Sequence, residues 1–445
     1  MEKLGETRLV RNGGRKKTPH KEGVLRDPIH GFIGLDRFKF IGKIVSTTEF
    51  QRLRRISQLG VSPIVYPTAT HNRFSHSLGA MHTMEKVIDH LHSIGNIRED
   101  EFERLLKEGM AASLLHDIGH GPLSHCSEPI LNFDHENITS EIVTRPPISD
   151  ILERDGIEPE AVVRIIRGRV GRKDAMVSQL VSSDLDVDRL DYLSRDSFFS
   201  GAGYGNIDRE RIITMLRVHD SGPLTDQLVS LYKGRYSIES FILGRHLMYQ
   251  ALYFHRATRG VEKLLASAFR RVKELGTAAP IPAELDFIAH ESEPKADDIM
   301  NLDDHAIFYA LERWKKSGDR ILSTVCRRIL DRDLLKAIEL TPERATAYLT
   351  GVQEKFVRLA KREGIEPEYF CPIDGASETP YSVYRIRSSD DEGKVVKSIF
   401  VYDDEDEPTE ISQVSNVVNE LARTVFLDRL YMPGKIRDSA MRLFK

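Results

Sequence analysis

The sequence predicts a mostly α-helical protein with a smaller α/β module at its C-terminal end. Two observations carry this. Apolar residues recur at the three- and four-residue spacing of helices through most of 41–362. Near residue 380 the pattern changes to the alternation of strands, in "YSVYRIRS" and "KSIFVYDD", around a turn at "DDEGK". Composition agrees: 445 residues, 40% hydrophobic and 30% charged, describe an ordinary globular chain of two or three domains.

The elements follow in order. The first 25 residues are basic, broken by glycine and poor in large apolar side chains. They predict a flexible tail, without the apolar centre of a signal peptide. "DPIHGFIGLD" (Asp27 to Asp36) reads as a short strand or ribbon. From Ile41 to Gln58 the spacing is helical, with Phe50, Leu53 and Ile56 close to one face. A helix runs on from Phe74. Another spans Leu105 to Ile118, burying Met110, Leu114, Leu115 and Ile118, and is ended by Gly119 and Gly121–Pro122. Further helices are expected near 137–153, 158–168, 174–194, 208–217, 237–275, 304–317 and 342–362, and a last one from Ser412 to Leu427. "DDEDEP" (Asp403 to Pro408) reads as an acidic loop. The divisions predicted are a tail (1–25), a core (26–275), a helical extension (276–370) and an α/β module (371–445).

Several function classes are disfavoured. The formal charge of -4 names no polyanionic partner, and a nucleic-acid contact, which is not predicted, would need a local basic patch such as the tail. Cys126, Cys326 and Cys371 are scattered, which fits a reducing cytoplasm and not a disulfide framework or thiolate zinc site. No apolar run approaches the ~18 residues that span a bilayer. Neither a P-loop nor a GxGxxG phosphate cradle is present.

The chemistry gathers in "SLLHDIGHGPLSH" (Ser113 to His125). A histidine on an apolar helix is ordinarily a satisfied core residue. Here His116, Asp117, His120, His125 and His135 lie within twenty residues beside glycine and proline. Each buried polar group must find a partner, so such a cluster suits a ligand better than a core. Imidazole with carboxylate makes an N/O metal site, for which His76, the His116–Asp117 pair and either Asp186 or Asp188 are candidates. His125 and Glu128, three apart, share one face if helical, and the carboxylate would then tune the imidazole as a general acid. Arg73, Arg189, Arg245 and other arginines suit a phosphoester substrate.

"DPIHG", "FQRLRRISQLG", "HNRFSHSLG", "LLHDIGHGPLSH", His135–Glu136, "DVDRLDYLSRD" and "YQALYFHR" occur in that order. The set resembles the HD-domain dNTP triphosphohydrolases, bacterial and archaeal in flavour at "RDSFFSGAGYG" and lacking a SAM domain before the core. The resemblance implies an HD helical core. It implies metal ligands at His76, His116, Asp117 and Asp188, and catalytic-pocket residues at His120, His125, Glu128 and His135. It implies substrate contacts from Gln58, Arg73, Arg189, Tyr192, Asp196, Arg245 and Tyr253. Arg189 stands where the animal member has lysine. Ser46 replaces an acidic residue of that member's regulatory site, whose Gln51 and Arg54 counterparts are present. The expected reaction is dNTP plus water to deoxynucleoside plus triphosphate. The expected cofactor is a divalent Fe, Mn, Zn or Ni ion, with Mg on the substrate phosphates. A nucleotide activator and a homotetramer are implied as well. The alternatives are another nucleotide phosphoester as substrate, or a non-catalytic nucleotide- or nucleic-acid-binding HD protein.

Overall fold

In the computed structural model, which describes residues 23–221, 224–288, 294–381, 396–403 and 407–444, the chain starts with an antiparallel hairpin. Its strands are Val24–Asp27 (β1) and Gly31–Gly34 (β2). The "DPIHG" motif is the turn, closed by Asp27 Oδ1, which accepts the amides of Ile29 and His30 at 2.8 and 3.0 Å. The tail expected at 1–25 falls, up to residue 22, outside the described residues, as does nearly all of "YSVYRIRS" and the centre of the acidic loop.

Two long helices form the scaffold. Arg73–Ser93 (α1) starts at Asn72, whose side chain accepts the Ser75 amide and satisfies an otherwise orphaned donor. Glu99–Leu115 (α2) begins earlier than its apolar pattern. Glu99, Asp100 and Glu101 occupy the first turn, where the helix dipole favours anions. The two pack against each other, and Val187–Ser200 lies across α1.

Four expected helices are interrupted. The one at 137–153 becomes His135–Val143 (α3) and Ile148–Arg154, because Pro146–Pro147 cannot supply helical amides. The one at 174–194 splits into Ala175–Val181 and Val187–Ser200 (α4), and the break leaves Asp186 as N-cap, accepting the Arg189 amide. The one at 237–275 divides into Arg235–Met248 (α5) and Arg256–Leu275 (α6) around a π-turn at Tyr249–Tyr253. The one at 342–362 is interrupted at Tyr348–Val352, where Gly351 has φ 148°. The helix at 304–317 ends at Trp314 (Asp304–Trp314, α7), which packs edge-on against Phe269 of α6 at 5.1 Å. The region Ile41 to Gln58 is two short helices and a turn, yet Phe50, Leu53 and Ile56 are fully buried, as their spacing implies.

The C-terminal end departs most from expectation. The helix expected at 412–427 stops at Leu421, and Val425–Met432 is a strand. It is the centre of an antiparallel sheet between Lys336–Glu339 and Ile373–Glu378. A second sheet pairs Phe400–Tyr402 in parallel with Leu228–Leu231, so strands of the last seventy residues are completed by strands far earlier in the chain. One apolar core runs through most of the described residues, and none of their helices is long and apolar enough to cross a membrane.

Candidate active site

The scaffold helices bring His76, His116 and Asp188 together. His76 sits in the first turns of α1, His116 caps the end of α2, and Asp188 is in the first turn of α4. Their ligating atoms lie within 4.8 Å of one another. Asp188 Oδ1 is 3.0 Å from His76 Nε2 and 3.6 Å from His116 Nε2. Asp117 lies 3.5 and 3.4 Å from the same two nitrogens. Both Nδ1 atoms are engaged elsewhere at 2.8 Å, His76 on Asp191 and His116 on the Ser113 carbonyl. Such bonds fix the tautomer and leave Nε2 as the free ligand. Those two Nε2 atoms are buried and have no hydrogen-bond partner among the described residues. The rings meet edge-on at 78°, and both Nε2 atoms lie within 3.6 Å of the Asp117 and Asp188 carboxylates. The donor set of two imidazoles and two carboxylates therefore fits a divalent ion, without selecting Fe, Mn, Zn or Ni. Without an ion, burial pushes His76 down, but Asp188 and Asp191 outweigh it and raise its pKa to about 10. Burial likewise opposes ionisation of Asp188, and the two imidazoles outweigh it, holding the carboxyl well below its usual range.

The sequence reading missed what braces this group. Asp191, one turn beyond Asp188, is fully buried. Arg195 holds it through two hydrogen bonds of 2.8 and 2.9 Å, and His30 Nε2 contacts its Oδ1 at 2.6 Å. Arg195 in turn bonds Asp27 at 2.7 Å, so the opening hairpin supports the site. Gly79 makes the approach feasible: a Cβ there would fall 1.9 Å from Asp191 Oδ1. Gly119 does the same for α3, since its Cβ would meet the His135 carbonyl at 2.3 Å. The signal for Asp191 and Arg195 was their helical spacing behind Asp188.

A second group of His120, His125, Glu128 and His135 lies alongside. Glu128 accepts from His125 Nδ1 and His135 Nδ1, each at 2.8 Å. Burial opposes its ionisation, but those two imidazoles hold the carboxyl far below the usual range. His120 and His135 are stacked, 3.8 Å apart with 13° between planes. An ion lies near the plane of each ring that binds it, so two parallel rings cannot both direct a lone pair at one ion. The Nδ1 atoms of His125 and His135 are spent on hydrogen bonds within this group. Burial and the neighbouring Arg73 guanidinium keep His120 well below its ordinary pKa.

Both groups open on one cavity of about 620 Å³, whose wall includes Gln58, Arg73, Arg189, Tyr192, Asp196 and Tyr253. Arg73 bonds Asp117 and, at 2.7 Å, Ser124 Oγ. Arg189 bonds Asp186, which is therefore its partner and not a member of the ligand group. Asp196 accepts from Tyr253 Oη at 2.7 Å and contacts His71 at the same distance. The loop bearing His125 is held in an unusual form. Leu123 and Ser124 have φ of 59° and 56°, a region costly for residues other than glycine. Asp304 of α7 accepts the amides of Leu123 and Ser57 at 2.7 and 2.9 Å, and buried Arg52 donates to the His120 carbonyl at 2.6 Å.

Three expected site residues lie elsewhere. Arg245 is not on the cavity wall; its guanidinium donates to the Pro380 carbonyl at 3.0 Å and stands 5.6 Å from the Tyr249 ring. The guanidinium also stands 3.7 Å from Asp184, and its buried Nε has no hydrogen-bond partner among the described residues. Gln51 and Arg54 are bonded to each other at 2.9 Å, outside the cavity. A separate hollow of about 400 Å³ is lined by His255, Arg256, Arg332, Lys336 and Arg437.

Comparison with known proteins is consistent with this geometry. The pattern of the HD domain matches residues 73–196, and that of the HD associated region matches 207–368. The protein YwfO of Bacillus subtilis is 36% identical over 375 residues, 82% of each chain. A deoxynucleoside triphosphate triphosphohydrolase SAMHD1 homolog of Dictyostelium discoideum is 28% identical over 329 residues, 71% of this chain and 60% of its own. The crystal structure of a phosphohydrolase from Bacteroides thetaiotaomicron superposes with a TM-score of 0.75 at 32% identity, covering 93% of this chain and all of that one.

Proposed function

Because this chain belongs to the HD-domain family of phosphohydrolases that includes dNTP triphosphohydrolases, we propose that it cleaves a deoxynucleoside triphosphate to deoxynucleoside and inorganic triphosphate. One observation carries this reading: a metal-fitting group and a separate imidazole–carboxylate group open on the same arginine- and tyrosine-walled cavity.

His76, His116, Asp117 and Asp188 would hold a divalent ion, which supplies Lewis acidity and makes hydroxide accessible near neutral pH. Arg73 and Arg189 bind phosphate oxygens and offset the charge that develops on them. Glu128 fixes His125 through Nδ1, leaving Nε2 to carry a proton to the departing 5′-oxygen. His135 and the stacked His120 keep Glu128 from turning away. Gln58, Tyr192 and the Tyr253–Asp196 pair form the sugar end, where a hydroxyl of the substrate would meet groups already oriented by His71. A nucleotide activator and assembly into a homotetramer belong to the same reading. The basic hollow between Arg256 and Lys336 has the charge to take an anion.

The test is a panel of single dNTPs with Mn²⁺ or Mg²⁺, each alone and with a second nucleotide, with inorganic triphosphate as readout. Triphosphate release supports the assignment. Release of only monophosphate or pyrophosphate across the panel shows that another bond is cut.

A further inference from the structure

Four arginine and lysine side chains stand on the cavity wall: Arg73, Arg189, Arg259 and Lys397. Three are committed to carboxylates, Arg73 to Asp117, Arg189 to Asp186, and Arg259 to Asp374 and Glu262. Lys397 alone has no ion-pair partner among the described residues, and it is exposed. Its position is nevertheless fixed through the backbone. The Lys397 carbonyl accepts the Asp184 amide at 2.9 Å. The preceding carbonyl, of Val396, accepts from Gln179 Nε2 at 2.9 Å, and the same buried Gln179 accepts the Leu228 amide at 2.6 Å. Arg189 Nη1 bonds the Ser183 carbonyl, so Arg189 and the Lys397 backbone grip adjacent residues of one turn.

We propose that Lys397, carried to the cavity by the C-terminal module, binds the outer phosphates of the substrate beside Arg189. This rests on the phosphate reading of the cavity above. An ammonium with no ion-pair partner among the described residues gives up none of them when it meets phosphate, whereas the three paired arginines must share theirs. A lysine beyond the reacting phosphate also favours a polyphosphate over a monophosphate, since only the longer chain reaches it.

The experiment measures binding of inorganic tripolyphosphate and of orthophosphate to the metal-loaded full chain by calorimetry, for the native protein, Lys397→Ala and Lys397→Arg. Lys397→Ala is expected to weaken tripolyphosphate about tenfold, the scale of one charged hydrogen bond, and Lys397→Arg to restore it. Orthophosphate binding should stay the same in all three. Equal tripolyphosphate affinity in Lys397→Ala overturns the proposal, even where the native protein releases triphosphate from dNTPs. Absence of tripolyphosphate binding to the native protein removes the proposal and the phosphate reading together.

Discussion

The two histidine groups of the cavity use the same side chains in opposite ways. Around His76 and His116, Nδ1 is tied to an acceptor outside the group, and Nε2 is left bare toward Asp117 and Asp188. Around His125 and His135, Nδ1 is tied to Glu128 inside the group, and His135 is stacked on His120, so those two parallel rings cannot both direct a lone pair at one ion. Nδ1 is occupied in both groups; the difference is whether its partner lies outside the group, leaving the carboxylates free for an ion, or is the group's own carboxylate. Composition is nearly the same in both, so the lesson is in the wiring.

That contrast can be broken at either end. The largest effect is expected from Asp188→Ala, which should take both bound metal and turnover to background; full metal occupancy measured by elemental analysis would refute its role. His125→Gln should lower turnover about 10²–10⁴-fold while metal content stays intact. The side chain is 70% exposed, so the melting temperature should hold, and loss of metal in this variant would merge the two groups into one. Asp191→Asn should weaken metal binding about 10–100-fold by loosening His76, with titration of the metal-free protein as the measurement. Unchanged affinity would make Asp191 only a fold residue. The smallest effect is on pH. With its pKa raised to about 10, His76 carries a proton in the metal-free protein at neutral pH, and an ion must displace it. Affinity should therefore rise with pH, about tenfold per unit for one proton released. A pH-independent affinity between about 6 and 8 would argue against that linkage.

Much of the candidate ligand group is legible in sequence, because His116 and Asp117 are adjacent at a helix end marked by Gly119. His125 and Glu128 were legible from a three-residue spacing. The choice between Asp186 and Asp188 was not legible from spacing. It depended on where the helix expected at 174–194 breaks, and the break turned Asp186 into a cap bonded to Arg189. Asp304 and Lys397 gave no local signal, since each reaches the site only through tertiary approach of distant segments. The helix expected from Ser412 to Leu427 overruns the strand Val425–Met432 by three residues, because apolar spacing there suits either state; pairing on both edges decides it.

The most direct test of the division between the two groups is anomalous diffraction from crystals grown with Mn²⁺. The account predicts an ion among His76, His116 and Asp188, with none between His125 and His135. An ion seated on Glu128 with those two histidines, and none at Asp188, would contradict it.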